Sequence, residues 1–414
     1  MKISNLVAIL PGLTILYLIK LTIFGLPTNW WEILVYLCAF VFLFIKKSTR
    51  LKKSEIASIA LITLITLIAT YTSPEKREAL GIIKGWIVPA ILLYWMLKNA
   101  WADPKNITLT IKAMVYQGIL VALVAILQTI PAISNWWITR APDLAQYLNT
   151  GRYTSIFNSP NSAAMILAPA LILALYCHFD PGSWLERPRW PLALLADRLG
   201  ERNLKKESLP LLASLVIIIG LVLTHSRGGI VAAIIGIALL ALSRFDKISR
   251  AWAVVIAALS LLIFNPIILS LSALNDPNHS DIRILIWQKS WQMVSQHPIW
   301  GIGLGHFHQA FASFTLHQPN FDEFITPYAL HPHNVILYVW LSFGIIGLIG
   351  LIGLIGASVR AFLRDKSPLR ALGFALLVVM LTQGMVDTTI FKNDLIIWFI
   401  IAVLLTFRQS ENTK

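Results

Sequence analysis

The chain has 414 residues, 57% of them apolar and only 13% charged, with a mean hydropathy of +0.71. A soluble domain is about 45–50% apolar and about 25% charged. A disordered chain, a collagen-like fibre, a coiled coil and a soluble multidomain enzyme are therefore excluded, which leaves a polytopic, all-α integral membrane protein. The formal charge of +14 becomes a matter of sidedness, since cytoplasmic loops collect Lys and Arg, and it requires no nucleic-acid partner.

A spanning helix needs about 20 apolar residues. Twelve spans are predicted, at 5–26, 30–46, 55–72, 81–97, 110–131, 160–178, 209–225, 228–243, 251–271, 333–358, 371–387 and 393–408. The first contains Lys20 and is followed by no small-residue cleavage site, so no cleavable secretory signal is read. Cys38 and Cys177 lie inside apolar runs and form neither a disulfide framework nor a CxxC motif. The basic connections KKSTRLKK (46–53), 179–208, SRFDKISR (243–250) and RAFLRDKSPLR (360–370) fall on one side of this arrangement. That asymmetry predicts cytoplasmic N- and C-termini.

The chain thus divides into membrane helices over 1–271, an outer loop domain over 272–332, and the last three spans with a tail over 333–414. A connector of about 60 residues is too long to be passive. Within it, 281–296 carries apolar side chains at Ile282, Leu285, Ile286, Trp287, Met293 and Val294. This pattern predicts an amphipathic helix, either lying on the membrane interface with Trp287, Trp291 and Trp300 at headgroup level or packed as an ordinary external helix. The glycine-rich tract 341–359 reads as a helix-packing surface.

Polar groups near membrane depth are costly, and each needs a reason. Arg227, in LVLTHSRGGIVAAIIG, stands between two apolar runs, and Gly228 and Gly229 would permit a tight turn there. A guanidinium beside a helix start is an anion site, or else an interfacial Arg reaching for headgroups. Arg283 opens the predicted helix of the outer loop, where a cation opposes the dipole. A bound anion would explain it, and so would simple solvation. Lys84 and Arg152 are further outer cations at span edges, and Asn158 and Asn161 beside Pro160 read as helix caps.

Seven of the nine histidines lie between 279 and 333. HFH (306–308) and HPH (331–333) could suggest metal, but no Cys or carboxylate cluster completes a site in the sequence. His333, before Asn334 at the mouth of a span, is better placed as a base, with His331 as its neighbour. Capping or interface roles remain open for both. Outer carboxylates, Asp387 among them, are sparse and unpaired in sequence. That argues against a metal-bound nucleotide-sugar donor and against two-carboxylate glycoside hydrolysis. An outer site of Arg, Lys and His suits a substrate whose leaving group is already a phosphate.

Four segments, in order, resemble the O-antigen ligase and polymerase superfamily: GRYTSIFNSPNSAAMIL (151–167), THSRGGIVAAIIG (224–236), DIRILIWQKSWQMVSQHPIWGIGLGHF (281–307) and HPHNVILYVWLSFGIIGLIG (331–350). The resemblance implies a metal-independent, inverting glycosyltransferase of the GT-C class in the bacterial inner membrane, acting at the periplasmic face without a cofactor. Its donor would be a glycan on undecaprenyl pyrophosphate. The acceptor would be a sugar hydroxyl of lipid A-core in a ligase, or another lipid-linked repeat in a polymerase. The family's essential arginines fall on Arg227 and Arg283, and its histidine on His333. Lys84, Arg152, His331 and Asn334 are expected around the pyrophosphate or acceptor. The extra C-terminal region of protein O-oligosaccharyltransferases is not read here. A transporter for an anionic solute is the alternative of another class, but only one interrupted helix is read, at 225–229, without a mate.

Overall fold

In chain order the helices are α1 (Ile3–Ile9), α2 (Trp30–Ile45), α3 (Lys53–Thr72), α4 (Lys76–Ile82), α5 (Val88–Ala100), α6 (Pro104–Leu127), α7 (Pro131–Arg140), α8 (Ala145–Leu148), α9 (Pro160–Phe179), α10 (Ser208–Leu223), α11 (Arg227–Leu242), α12 (Ile248–Leu261), α13 (Pro277–Gln296), α14 (Phe307–Thr315), α15 (Val335–Arg364), α16 (Pro368–Gly384) and α17 (Ile396–Thr406). The computed structural model describes residues 2–23, 26–45, 51–179, 208–245, 248–261, 277–316, 325–364, 366–390 and 395–408. Most of the basic loop expected over 179–208, the end of the ninth predicted span, His317 and the last six residues lie outside these.

Five helical stretches are long and apolar enough to cross a membrane: α3, Lys76–Ala100, α6, α9 and α15. Shorter apolar helices fill the other segments read as spans. The first predicted span is not one straight helix. α1 runs into a 3-10 helix, Leu10–Leu18, with Pro11 in its first turn. A Cβ on Gly12 would lie 2.5 Å from the Ala113 carbonyl oxygen, so the two chains touch there. The span then ends in a two-stranded antiparallel hairpin, β1 (Lys20–Ile23) and β2 (Leu26–Asn29), with Lys20 opposite Asn29. That hairpin was not expected.

The core is built around α9, whose residues 163–174 are buried without interruption. A helix that is apolar all round is stable only inside a bundle, and α6, α10, α11 and α16 surround this one. Small residues let them approach. A Cβ on Gly220 would lie 2.6 Å from Ala122, and one on Gly236 2.7 Å from Ile172. In the tract expected to do this, 341–359, the close approach is at Gly344, where a Cβ would overlap Ile299 O. Among the described residues nothing lies within 4 Å of a Cβ on Gly350, Gly353 or Gly356. Gly344 breaks α15 at φ 67. The chain at 299–302 docks against the break, with Ile345 N–H donating to Ile299 O at 3.1 Å and Ile302 N–H to Leu341 O at 2.7 Å.

The described residues between 277 and 329 form a small core with the start of α15. Ile286, Met293 and Val294 of α13 pack with Phe307, Phe311, Ile325, Ala329, Leu337 and Leu341. The apolar face expected to lie on lipid is therefore packed against protein, with Trp287 beside it, while Trp291 and Trp300 stay exposed. Far from this segment along α15 and α17, arginines bind the carbonyls at helix ends. Arg250 donates to Phe362 O at 3.1 Å, Arg370 to Thr406 O at 3.1 Å and to Arg408 O at 2.8 Å, and Arg408 to Trp101 O at 2.9 Å. Cations at helix C-termini satisfy orphan acceptors and suit the dipole. α15 and α16 each have one end in this arginine network and the other beside the segment of Arg283 and His333, so the two lie at opposite ends of the bundle.

Candidate active site

Four stretches of chain meet where α15 begins and α16 ends. Asn334 starts the assembly. Its Oδ1 accepts the N–H groups of Ile336 and Leu337 at 3.0 and 3.1 Å, and its Nδ2 donates to Met385 O at 2.9 Å. The side chain is buried and committed to capping α15 and tying it to the 385–389 turn. That turn carries Asp387, 6% exposed.

Both histidines aim at Asp387. His333 Nδ1 lies 3.5 Å and His331 Nε2 3.9 Å from Oδ1, while Arg283 Nη2 lies 3.9 Å from Oδ2. Hydrogen bonds fix the neutral tautomers. His331 Nδ1 accepts from the His333 backbone N–H at 3.3 Å and pairs with Thr388 Oγ1 at 3.0 Å, so its proton sits on Nε2, toward Asp387. His333 Nε2 lies 3.2 Å from Tyr328 O, which can only accept, so its proton sits on Nε2. The His333 Nδ1 lone pair is left facing a carboxylate, buried and without a hydrogen bond. A proton taken up by this pair would lie between Nδ1 and Oδ1.

His331, His333 and Asp387 offer three ligand atoms within 4.8 Å of one another, a spacing that could hold a metal ion. The His331 tautomer opposes it, because Nε2 presents a proton rather than a lone pair.

Three non-glycine residues in the described chain take positive φ: Ser155 at 55°, His225 at 50° and His333 at 47°. Such conformations are uncommon and concentrate at functional sites. Each precedes a helix of the site. Ser155 is clamped by Gln128, which accepts its N–H and donates to its carbonyl, both at 2.8 Å. His225 supplies the turn before Arg227 that the sequence assigned to Gly228 and Gly229. Those glycines serve packing instead: a Cβ on Gly228 would lie 2.7 Å from Val386, and one on Gly229 2.7 Å from Ala164.

Arg227 opens α11. Ser226 caps that helix through Gly229 N–H at 3.4 Å, and Arg227 is exposed, with no hydrogen bond or ion pair to another described residue. Its neighbour Gly228 rests on Val386, the residue before Asp387. Tyr153 N–H donates to Leu223 O at 3.0 Å, which brings the Arg152 loop to the same place. Arg152 lies over the Tyr147 ring, 5.8 Å from its centroid. Tyr147 in turn feels Arg152, Tyr328, Arg283 and Asp387 electrostatically. Arg152, Arg283, His331, His333 and Asp387 thus share one neighbourhood, and the chain contacts beside Arg227 bring its turn against it.

Three expectations shift. Arg283 does not open its helix: α13 begins at Pro277, so Arg283 is in the second turn and its partner is Asp387. Lys84 sits in a π-helical turn, Ile83–Ile87. It pairs with buried Glu32 at 2.8 Å and donates to Pro27 O at 2.6 Å. No described contact joins it to the histidines. The cap of α9 is Ser159, which accepts Ser162 N–H at 3.2 Å, rather than Asn158 or Asn161. Asp387 was read as an isolated carboxylate because 54 positions of chain separate it from His333; the bonds from Asn334 to Met385 and between His331 and Thr388 close that gap.

No curated protein matches the chain. A family model described as O-Antigen ligase matches residues 212–352. The match includes Arg227, Arg283, His331, His333 and Asn334 and excludes Lys84, Arg152 and Asp387. Over residues 212–352, set among multiple apolar helices long enough to cross a membrane, the chain is thus similar to the O-antigen ligase family.

Proposed function

We propose that the protein is an O-antigen ligase that transfers a glycan from undecaprenyl pyrophosphate to a sugar hydroxyl of lipid A-core at the periplasmic face of the bacterial inner membrane. The carrying observation is the convergence of guanidinium groups on a paired carboxylate and imidazole. Arg283 and Arg227, with Arg152, hold the pyrophosphate by charge-assisted hydrogen bonds. The acceptor oxygen attacks the anomeric carbon opposite the leaving group, forming a C–O bond. The bond from that carbon to the pyrophosphate oxygen breaks, and undecaprenyl pyrophosphate leaves with the electron pair. The hydroxyl proton passes to the His333–Asp387 pair, with Asp387 stabilising the imidazolium. Inversion follows from the single displacement, and no step requires a metal or a cofactor.

Twelve spans of a GT-C-like fold, with the arginine network at the cytoplasmic end and both termini there, fit the positive-inside rule. Lys84 is assigned to holding the β1–β2 hairpin through Glu32 rather than to the donor. The test is transfer by purified protein from a lipid-linked glycan to lipid A-core: Arg283→Ala and His333→Ala each abolish it if the reading holds. A polymerase would use the same donor chemistry, and a deletion strain separates the two. Loss of a ligase accumulates lipid-linked polymer, whereas loss of a polymerase leaves cores capped with one repeat.

A further inference from the structure

Tyr147 lies in α8, in the loop between α6 and α9, and no motif singles it out. Its carbonyl accepts the N–H groups of Thr150 and Arg152, both at 3.0 Å. The turn so closed carries the Arg152 guanidinium back over the Tyr147 ring at 5.8 Å. The next residue, Tyr153, is bonded to Leu223 O at the end of α10, four residues before Arg227. The phenol is half-buried, and its hydroxyl makes no hydrogen bond with any described residue. Arg152 and Arg283 act on it with one sign, and Tyr328 and Asp387 with the other.

Asp387 is already engaged by Arg283 and the two histidines, so the phenol has no claim on it. Burial pushes the Tyr147 hydroxyl above its ordinary range, outweighing the guanidinium groups that pull it down. It is therefore a neutral donor at pH 7, standing beside two cations. A donor between cations is matched by an anion with several acceptor oxygens.

We propose that Tyr147 is a further substrate-binding residue, its phenol donating a hydrogen bond to a phosphate oxygen of the donor's pyrophosphate beside Arg152 and Arg283. The inference rests on the reading of this site as a lipid-pyrophosphate site. The arginines supply charge and forked donors; the phenol adds a neutral donor between them.

The experiment is a binding titration of undecaprenyl pyrophosphate against purified full-length protein in detergent, with transfer kinetics alongside. Tyr147→Phe removes one oxygen and keeps the ring under Arg152, so the thermal midpoint is expected to hold. Affinity is expected to fall roughly tenfold to a hundredfold, the range for a hydrogen bond to a charged group. The donor KM rises with it and the acceptor KM stays unchanged. Wild-type affinity in Tyr147→Phe, with Arg283→Ala impaired, overturns this proposal alone. A rise confined to the acceptor KM also overturns it and assigns the phenol to the acceptor sugar. Wild-type protein that does not bind undecaprenyl pyrophosphate overturns both this proposal and the reading of the site.

Discussion

His333 Nδ1 and Asp387 Oδ1 face each other at 3.5 Å, a lone pair opposite a carboxylate with the tautomer fixed from behind by Tyr328 O. Asp387→Asn keeps the shape of the carboxylate and removes its charge, so the imidazolium formed during transfer loses its counter-ion. The expected loss in kcat is about 10²–10⁴-fold, the range for a positioned acid–base group. His333→Ala is expected to lose a similar factor, and the double variant little more, because the two act as one unit. Multiplicative losses in a double-mutant cycle would mean that the residues act separately.

Arg283 and Lys84 were read as similar cations, but their partners differ: Asp387 for Arg283 and Glu32 for Lys84. On the proposed function Arg283→Ala removes a donor to the phosphate, and the expected cost is a few kcal/mol of transition-state stabilisation, by comparison with loss of an oxyanion donor. Lys84→Ala leaves Glu32 buried and unpaired, at roughly 1–3 kcal/mol of stability. Thermal melts should show Lys84→Ala well below wild type and Lys84→Ala/Glu32→Gln partly restored. A Lys84→Ala variant with an unchanged melt and abolished donor binding would return Lys84 to the site.

Asn334 belongs to the scaffold. Asn334→Ala removes the α15 cap and the tie to Met385, and the cap alone is worth about 1 kcal/mol. Asn334→Asp keeps the acceptor for Ile336 and Leu337 while losing the donor to Met385. Transfer assays should rank wild type first, then Asp, then Ala, because the tie positions Asp387. Equal activity of wild type and Ala would show that the 385–389 turn is held otherwise.

Glycines of similar appearance are predicted to behave differently. Gly228→Ala drives a methyl against Val386 and displaces the turn before Asp387, at about 1–3 kcal/mol for overpacking. Gly350→Ala meets nothing described and gains up to about 1 kcal/mol of helix propensity. Melting of the two variants checks the contrast, and a stabilised Gly228→Ala would contradict it.

Much of the fold was legible because apolar runs long enough to span a membrane announce themselves by length. The close approach at Gly12 and the kink at Gly344 were not, since each depends on a distant segment, Ala113 and Ile299; the local hairpin at Lys20–Asn29 was hidden inside an apolar run read as one span. In the site, Arg227, Arg283, His331 and His333 could be singled out from cationic and imidazole groups at span mouths. Asp387 and Tyr147 could not, because their meaning comes from neighbours far along the chain. Positive φ at His225 and His333 was equally hidden, as tertiary packing rather than residue type imposes it.

The most direct test of the central claim is a structure of the full chain with undecaprenyl pyrophosphate bound. Phosphate density between Arg283 and Arg152, within reach of Arg227 and next to the His333–Asp387 pair, is the predicted result. Density at the arginine network of Arg250, Arg370 and Arg408, or anywhere away from Asp387, would contradict it.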